Sequence, residues 1–431
     1  MTEFQTLYAR KKGSLQDCLG AIRSNARVCF AGDGNQPNTI LEHLHEIAPR
    51  VEDVHCIKGH EGDFRCVTDP AMNGHISFTT FLYGRTLMEG QKHRNVSFVP
   101  SDICDYGSFM AQYRPRNVFV AAVSPMDERG YFCVGLANMW ETDCFPTCDT
   151  IILEVNPRLP RVKGGLRINI RDVTVLMEVD YPPLVVADAQ TTEIEEKIGE
   201  NVAELVRDGD TIQLGIGSMP NAVGHHLMDK KDLGLHTEMF TSIMGEMIRS
   251  GVITGERKNY NRLLHIGCFA GGDLALYDTL ATNPQVRLQP TRVAVNPAEI
   301  SKNDNMVSIN TIIEMDITGQ VCSESIGATQ FSGTGGAFCF AFGALHSKGG
   351  RGILAFQAAT KKGVSKIAPQ LKPGAVVSIP RNYVDYVVTE YGIAHLRGRS
   401  VKERAEQLIA IAHPEAREAL RRYAKEQFII V

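Results

Sequence analysis

A single strand–turn–helix signature is written twice in this chain of 431 residues. Ala31-Gly32-Asp33-Gly34-Asn35-Gln36-Pro37-Asn38 lies over Leu214-Gly215-Ile216-Gly217-Ser218-Met219-Pro220-Asn221 without a gap, and both glycines, the proline and the asparagine coincide. Turn chemistry alone favours Gly and Pro. Four identities in the same context nevertheless point to an internal duplication. Each copy follows a strand-like run and leads into a helical one. A chain repeating this unit is confined to two similar α/β domains with largely parallel sheets. Pro182-Pro183 breaks the pattern, so the expected division is 1–185 and 186–431.

Apolar runs at 28–31, 118–123, 150–155, 173–178, 211–214, 376–379 and 386–389 predict strands, and 193–207 and 401–412 predict helices. The alternation persists from end to end, as an α/β chain requires.

Composition removes several function classes. A net charge of −4 gives no reason to expect nucleic acid or an anionic membrane as partner. No apolar run reaches the length of a membrane span, and residues 1–14 are polar, without a signal-peptide core. The eleven cysteines are scattered, many inside apolar runs such as those of Cys29, Cys133 and Cys268. They read as buried reduced thiols of a cytoplasmic protein. Cys144 and Cys148 are close in sequence but lack a second pair to complete a zinc site, so no metal is expected.

The second copy of the turn carries the chemistry. Strand, glycines and helix start aim backbone N–H groups at an anion. Gly215-Ile216-Gly217 is not a dinucleotide fingerprint, because Pro220 stands where a third glycine would fall. Glu238 follows shortly after, in His236-Thr237-Glu238-Met239. A glutamate is ionised at neutral pH, with a reference pKa of about 4.3, and can attack an activated acyl group directly. An arbitrary glutamate there would more ordinarily satisfy helix-start amides. His236 reads as a structural residue or an orienting neighbour rather than a catalytic base. A second glycine cluster, Phe331-Ser332-Gly333-Thr334-Gly335-Gly336, allows close backbone approach to a ligand or forms an ordinary loop.

These pieces carry a resemblance. Ser124-Pro125-Met126-Asp127 through Gly130-Tyr131-Phe132, the Gln213–Gly217 run, His236-Thr237-Glu238-Met239 and Gln330-Phe331-Ser332-Gly333 belong to it. So do Asp385-Tyr386-Val387-Val388-Thr389-Glu390-Tyr391-Gly392-Ile393-Ala394, Glu403-Arg404-Ala405 and Ile411-Ala412-His413-Pro414. Spanning nearly the whole chain, they resemble the acetyl-CoA hydrolase/transferase family of class I CoA-transferases, which includes the 4-hydroxybutyrate, butyryl-CoA:acetate and itaconate CoA-transferases. The resemblance implies two similar α/β domains with the active site between them. It implies an acyl-CoA:carboxylate CoA-transferase with coenzyme A as acyl-CoA substrate, small carboxylates as the other partner, and a homo-oligomer, dimer or tetramer. Glu238 would be the nucleophile, and Asn296 would polarise the reacting carbonyl. Gln213, Leu214, Gly215, Ile216, Gly217, Ile313, Gly335 and Gly336 would contact CoA or the developing oxyanion.

The N-terminal copy of the turn, through Gly34, is expected to shape the acyl or carboxylate pocket with Glu61 and Arg85. Arg85 would pair with a substrate carboxylate, or with a structural partner instead. Glu61 would exclude certain acids by repulsion. One departure stands out. Relatives often carry Gly-Gly-x-x-Asp-Phe-x-Arg after the second glycine cluster, whereas here the Asp and Arg positions are Cys339 and Phe342. That wall should be drier, with substrate identity the property affected. Acyl-CoA hydrolysis is the alternative activity, because water could attack the same intermediates, and a non-catalytic ligand-binding protein is the third reading.

Overall fold

The computed structural model describes residues 2–57, 62, 64–187 and 190–430. The chain divides into two compact units, 1–186 with 266–294, and 187–265 with 295–431.

The first unit is built on seven strands: β1 Arg27–Phe30, β2 Val54–Ile57, β3 Ile76–Thr80, β4 Val96–Phe98, β5 Val118–Val123, β6 Thr150–Val155 and β7 Val175–Glu178. They lie in the order β4-β3-β2-β1-β5-β6-β7, and every pairing is parallel. All six residues of β5 are buried, as expected of a parallel strand covered on both faces. Val28, Phe30, Val54, Phe78, Val118, Val120 and Ile152 are among the sheet residues of one core cluster. Helices α1 Asn38–His43 and α2 Arg85–Lys92 follow β1 and β3.

The main sheet of the second unit has six: β8 Thr211–Leu214, β9 Gly234–Leu235, β10 Met306–Asn310, β11 Arg351–Ala355, β12 Tyr386–Thr389 and β13 Gly392–His395. Their order is β9-β8-β10-β11-β12-β13, antiparallel only at the β12–β13 edge. Its helices include α3 Ser218–His226, α4 Pro297–Ile300 and α5 Ala337–His346. In both units the strand that bears the glycine turn is flanked on one side by the next strand of its sheet and on the other by a later one. The repeated sequence thus falls on strands with the same kind of neighbours, although the two sheets differ in strand number and in their edges.

Three expectations need amending. Residues 266–294 belong to the first unit, so a cut at 185/186 does not separate the units cleanly. Ala270 N–H donates to the Leu136 carbonyl, Leu288 N–H to that of Lys163, Thr291 Oγ1 to that of Met139, and Arg292 pairs with Asp143 at 2.6 Å. Sequence position cannot reveal such returns. Second, 376–379 is not a strand. Val376 N–H goes to the Ser325 hydroxyl, Val376 and Val377 are exposed, and only Ile379 makes a bridge, to Val321. Third, the helix expected over 193–207 stops at Ala203.

All eleven cysteines are thiols outside any disulfide, and all but Cys148 are buried. Burial pushes the Cys148 thiol up to about 12, so it stays protonated. Among the described residues no cluster of His, Cys, Asp or Glu is arranged to hold a metal ion. Nor is any helix there long and apolar enough to cross a membrane.

Candidate active site

The two glycine turns, so alike in sequence, have different surroundings. At the first, Gly32 N–H donates to Glu141 Oε1 at 2.9 Å, and the other oxygen of Glu141 accepts from Met139 and Trp140 N–H. A Cβ added at Gly32 would stand 2.4 Å from Met139 Cε, and one at Gly34 would stand 2.6 Å from Leu136 Cβ. This turn is filled by the unit's own side chains, and its anion is the buried Glu141, whose carboxyl burial pushes up to about 7. Gly34 is therefore packed against Leu136.

The second turn is open. A Cβ at Gly215 would make only ordinary contact, 3.6 Å from Pro220 Cγ, and one at Gly217 would meet nothing within 4 Å. Gly217 is required for its backbone, since φ is 108° and ψ −178° at the start of α3, a region accessible essentially to glycine alone. Ile216 is exposed. Ser218 Oγ donates to Glu195 Oε1 at 2.6 Å, which pins the first residue of α3. Gln213 has its side chain engaged within the sheet. Its Oε1 accepts from Ile309 N–H and Asn310 Nδ2, and its Nε2 donates to Asn310 Oδ1. Leu214, at the end of β8, is buried, and Gly215 N–H donates to the Ile309 carbonyl.

Glu238 follows β9 and is half-buried. Its neighbours fix its backbone: His236 N–H donates to the Ile212 carbonyl, and the Thr237 hydroxyl lies within reach of the Leu214 and Met239 carbonyls. The His236 ring is buried, meets Asn303 Nδ2 through Nδ1 at 3.2 Å and stands edge-on to Phe340. These contacts are with Asn303 and Phe340, within the core of the unit.

The Glu238 carboxylate lies against the second glycine cluster. A Cβ built on Gly336 would be 2.1 Å from Glu238 Oε2 and 2.8 Å from Val295 Cγ1, and one on Gly335 would be 3.7 Å from Glu238 Oε1. Gly335 has φ 55°, and Gly336 is the N-cap of the ten-residue α5. The carboxylate thus sits at a helix N-terminus, where first-turn amides and the helix dipole favour negative charge. Asn296, next to Val295, caps α4 by accepting from Ala298 N–H at 2.9 Å through Oδ1. Ile313 follows β10 and is half-buried. The second unit therefore gathers Glu238, Gly335, Gly336 and Val295 directly, with Asn296 alongside.

The remaining expected residues fall elsewhere. Arg85, the first residue of α2, is exposed and makes no ion pair with a described residue. Glu61 lies outside the described residues. Cys339 is buried on α5, while Phe342 joins Phe338, His346 and Tyr383 in an aromatic stack on a flank of that helix. The apolar exchange at 342 thus builds that stack. Val295, Thr237 and Glu141 were not anticipated, because their roles depend on contacts between distant segments.

Residues 272–424 match the model of the acetyl-CoA hydrolase/transferase C-terminal domain. The chain is 36% identical to the 4-hydroxybutyrate coenzyme A transferase of Clostridium kluyveri, over 99% of this chain and 100% of that protein. It is 35% identical to the succinyl-CoA:cyclohexane-1-carboxylate CoA transferase of Geobacter metallireducens, over 98% of this chain and 97% of that one. The crystal structure of RipA from Yersinia pestis superposes with a TM-score of 0.94 at 30% identity, covering 100% of both chains. With this likeness running the full length of both units, the chain belongs to the acetyl-CoA hydrolase/transferase family, among its CoA-transferases.

Proposed function

We propose that the protein moves CoA between a short-chain acyl-CoA (acetyl-, butyryl- or succinyl-CoA) and a small carboxylic acid of the 4-hydroxybutyrate, butyrate or itaconate class. The names of its relatives support the 4-hydroxybutyrate, butyryl-CoA, acetate and succinyl-CoA part of this range. The observation that carries the reading is the Glu238 carboxylate seated against Gly336 at the N-terminus of α5.

Glu238 attacks the acyl carbonyl, the C–S bond breaks, and a mixed anhydride and CoA thiolate result. The Glu238 carbonyl then accepts the thiolate, its C–O bond to the first acyl group breaks, and that carboxylate leaves. The glutamyl-CoA thioester is next attacked by the incoming carboxylate, and the steps run backwards. Each tetrahedral step develops an oxyanion, for which main-chain N–H groups at Gly335–Gly336 and the α5 terminus are the preorganised donors. Because Asn296 Oδ1 is used by its cap, a carbonyl polarised by Asn296 would be bound through Nδ2. The open turn at Gly215–Gly217 and the neighbourhood of Ile313 would hold CoA. Gly34, Glu61 and Arg85 are the proposed carboxylate-side residues. The protein is proposed to act as a cytoplasmic homo-oligomer.

Mass spectrometry after incubation with acyl-CoA tests this. A CoA adduct on Glu238, absent in Glu238→Gln, is expected. An adduct elsewhere, or full activity in the variant, overturns the mechanism. Acyl-CoA consumption that does not depend on an added carboxylate would make the protein a hydrolase instead.

A further inference from the structure

Glu324 is a buried carboxylate, 5% exposed, that no Lys, Arg or His of the described residues pairs with. Its ligands are neutral. Oε2 accepts from Gln330 Nε2 at 3.0 Å, and Oε1 accepts from Ser378 Oγ at 2.8 Å and Thr334 Oγ1 at 3.4 Å. Its backbone carbonyl accepts from Phe331 and Ser332 N–H at 2.8 and 2.9 Å. Gln330 Nε2 also donates to the Ser332 carbonyl, closing the loop on itself. One residue thus grips both ends of the 330–334 segment. That segment delivers Gly335 and Gly336 to the Glu238 carboxylate, and the Thr334 carbonyl accepts from Ala337 N–H at the α5 start.

We infer that Glu324 is a positioning residue for the transfer reaction. It holds the 330–334 loop so that the Gly335–Gly336 backbone meets the reacting carboxylate at the right distance. The inference rests on Glu238 being the nucleophile. An unpaired buried carboxylate is costly unless hydrogen-bonded, and here every hydrogen bond it makes through the carboxylate is to the loop or to the segment behind it. Misplacement by about 1 Å near a reacting centre costs roughly 10²-fold in rate. Loosening this clamp should therefore reduce turnover while leaving CoA affinity largely intact.

The test compares wild type, Glu324→Gln, Thr334→Val and the double variant, reading kcat, KM for acyl-CoA and the rate at which the CoA adduct appears on Glu238. Glu324→Gln sets an amide N–H₂ against donors. It should lower kcat and the adduct rate together by about 10- to 100-fold, with KM changed by less than about threefold. Thr334→Val should shift both in the same direction, and the double variant should be no slower than Glu324→Gln, because both act through one clamp. A wild-type adduct rate in Glu324→Gln, a rise in KM alone, or multiplicative losses in the double variant would each overturn the assignment. If Glu324→Gln does not fold, Thr334→Val and Gln330→Met read the same clamp, and wild-type turnover in both overturns it. An adduct on Glu238 in wild type, with its rate unchanged in the variants, removes Glu324 but leaves the nucleophile standing. No adduct on Glu238 in wild type removes both.

Discussion

Gly336 and Glu238 are in such close contact that one added methyl group on the glycine would lie 2.1 Å from Glu238 Oε2. No side chain fits at 336 unless the carboxylate moves. The requirement at this position is for space, since φ is an unexceptional −99°.

Gly336→Ala should therefore cost at least about 100-fold in kcat, by displacing the carboxylate from its approach geometry. The fully buried Val295, whose Cγ1 the added methyl would approach to 2.8 Å, must yield as well, so the melting temperature should also fall. Steady-state kinetics beside a thermal melt checks this. Near-wild-type turnover would contradict the arrangement.

Gly217→Ala and Gly215→Ala separate conformation from packing within one turn. Gly217 has φ 108°, whereas a Cβ at Gly215 reaches nothing closer than Pro220 Cγ at 3.6 Å. Strain of about 1–3 kcal/mol is expected at 217, with a loss of roughly tenfold in kcat/KM for acyl-CoA. Gly215→Ala should stay within about threefold if only ordinary contacts change.

Lys258 offers a pH test. Its Nζ is buried and donates to the carbonyls of Leu235 and Leu264, and burial pushes the ammonium down to about 7 from 10.5. The unfolded chain therefore holds this proton through a range in which the folded chain has lost it. Stability should rise with pH between about 7 and 10, by up to about 1.4 kcal/mol per unit from this group. Below 7 both states are protonated and the slope vanishes. Denaturant unfolding of wild type and Lys258→Met from pH 6 to 9 measures it. The difference should tilt towards wild type as pH rises, and a flat difference would exclude the effect.

Asp210 and Arg351 form a buried pair at 2.6 Å, and Arg351 also donates to the Leu205 carbonyl. Asp210→Asn leaves a buried guanidinium without its counter-charge and should cost about 3–5 kcal/mol. Circular dichroism in urea reads this directly. Replacing both partners by apolar residues should recover part of the loss.

Much of the site was legible along the chain because its signals are local. The end of β8 at Leu214, the glycine that α3 needs at 217 and the carboxylate at 238 follow one another within a single strand–helix–strand unit. The 376–379 segment misled because paired valines mimic a strand, while their N–H groups and exposure are decided by Ser325 and by solvent. Glu324 gave no signal. A lone glutamate before a hairpin looks like any other until its three side-chain donors converge on it.

Sequence alone was enough for the α/β class, the duplicated turn and the family, and it singled out Glu238 as the candidate nucleophile, since periodicity, turn chemistry and motif residues are properties of neighbouring positions. Tertiary structure decided which turn is open. The first copy is filled by Glu141, Met139 and Leu136, and the second is left clear. It also decided that 266–294 returns to the first unit and that Gly336 meets Glu238. These outcomes depend on which distant side chains come to occupy the same small volume, and excluded volume between remote segments leaves no periodic trace in the order of residues.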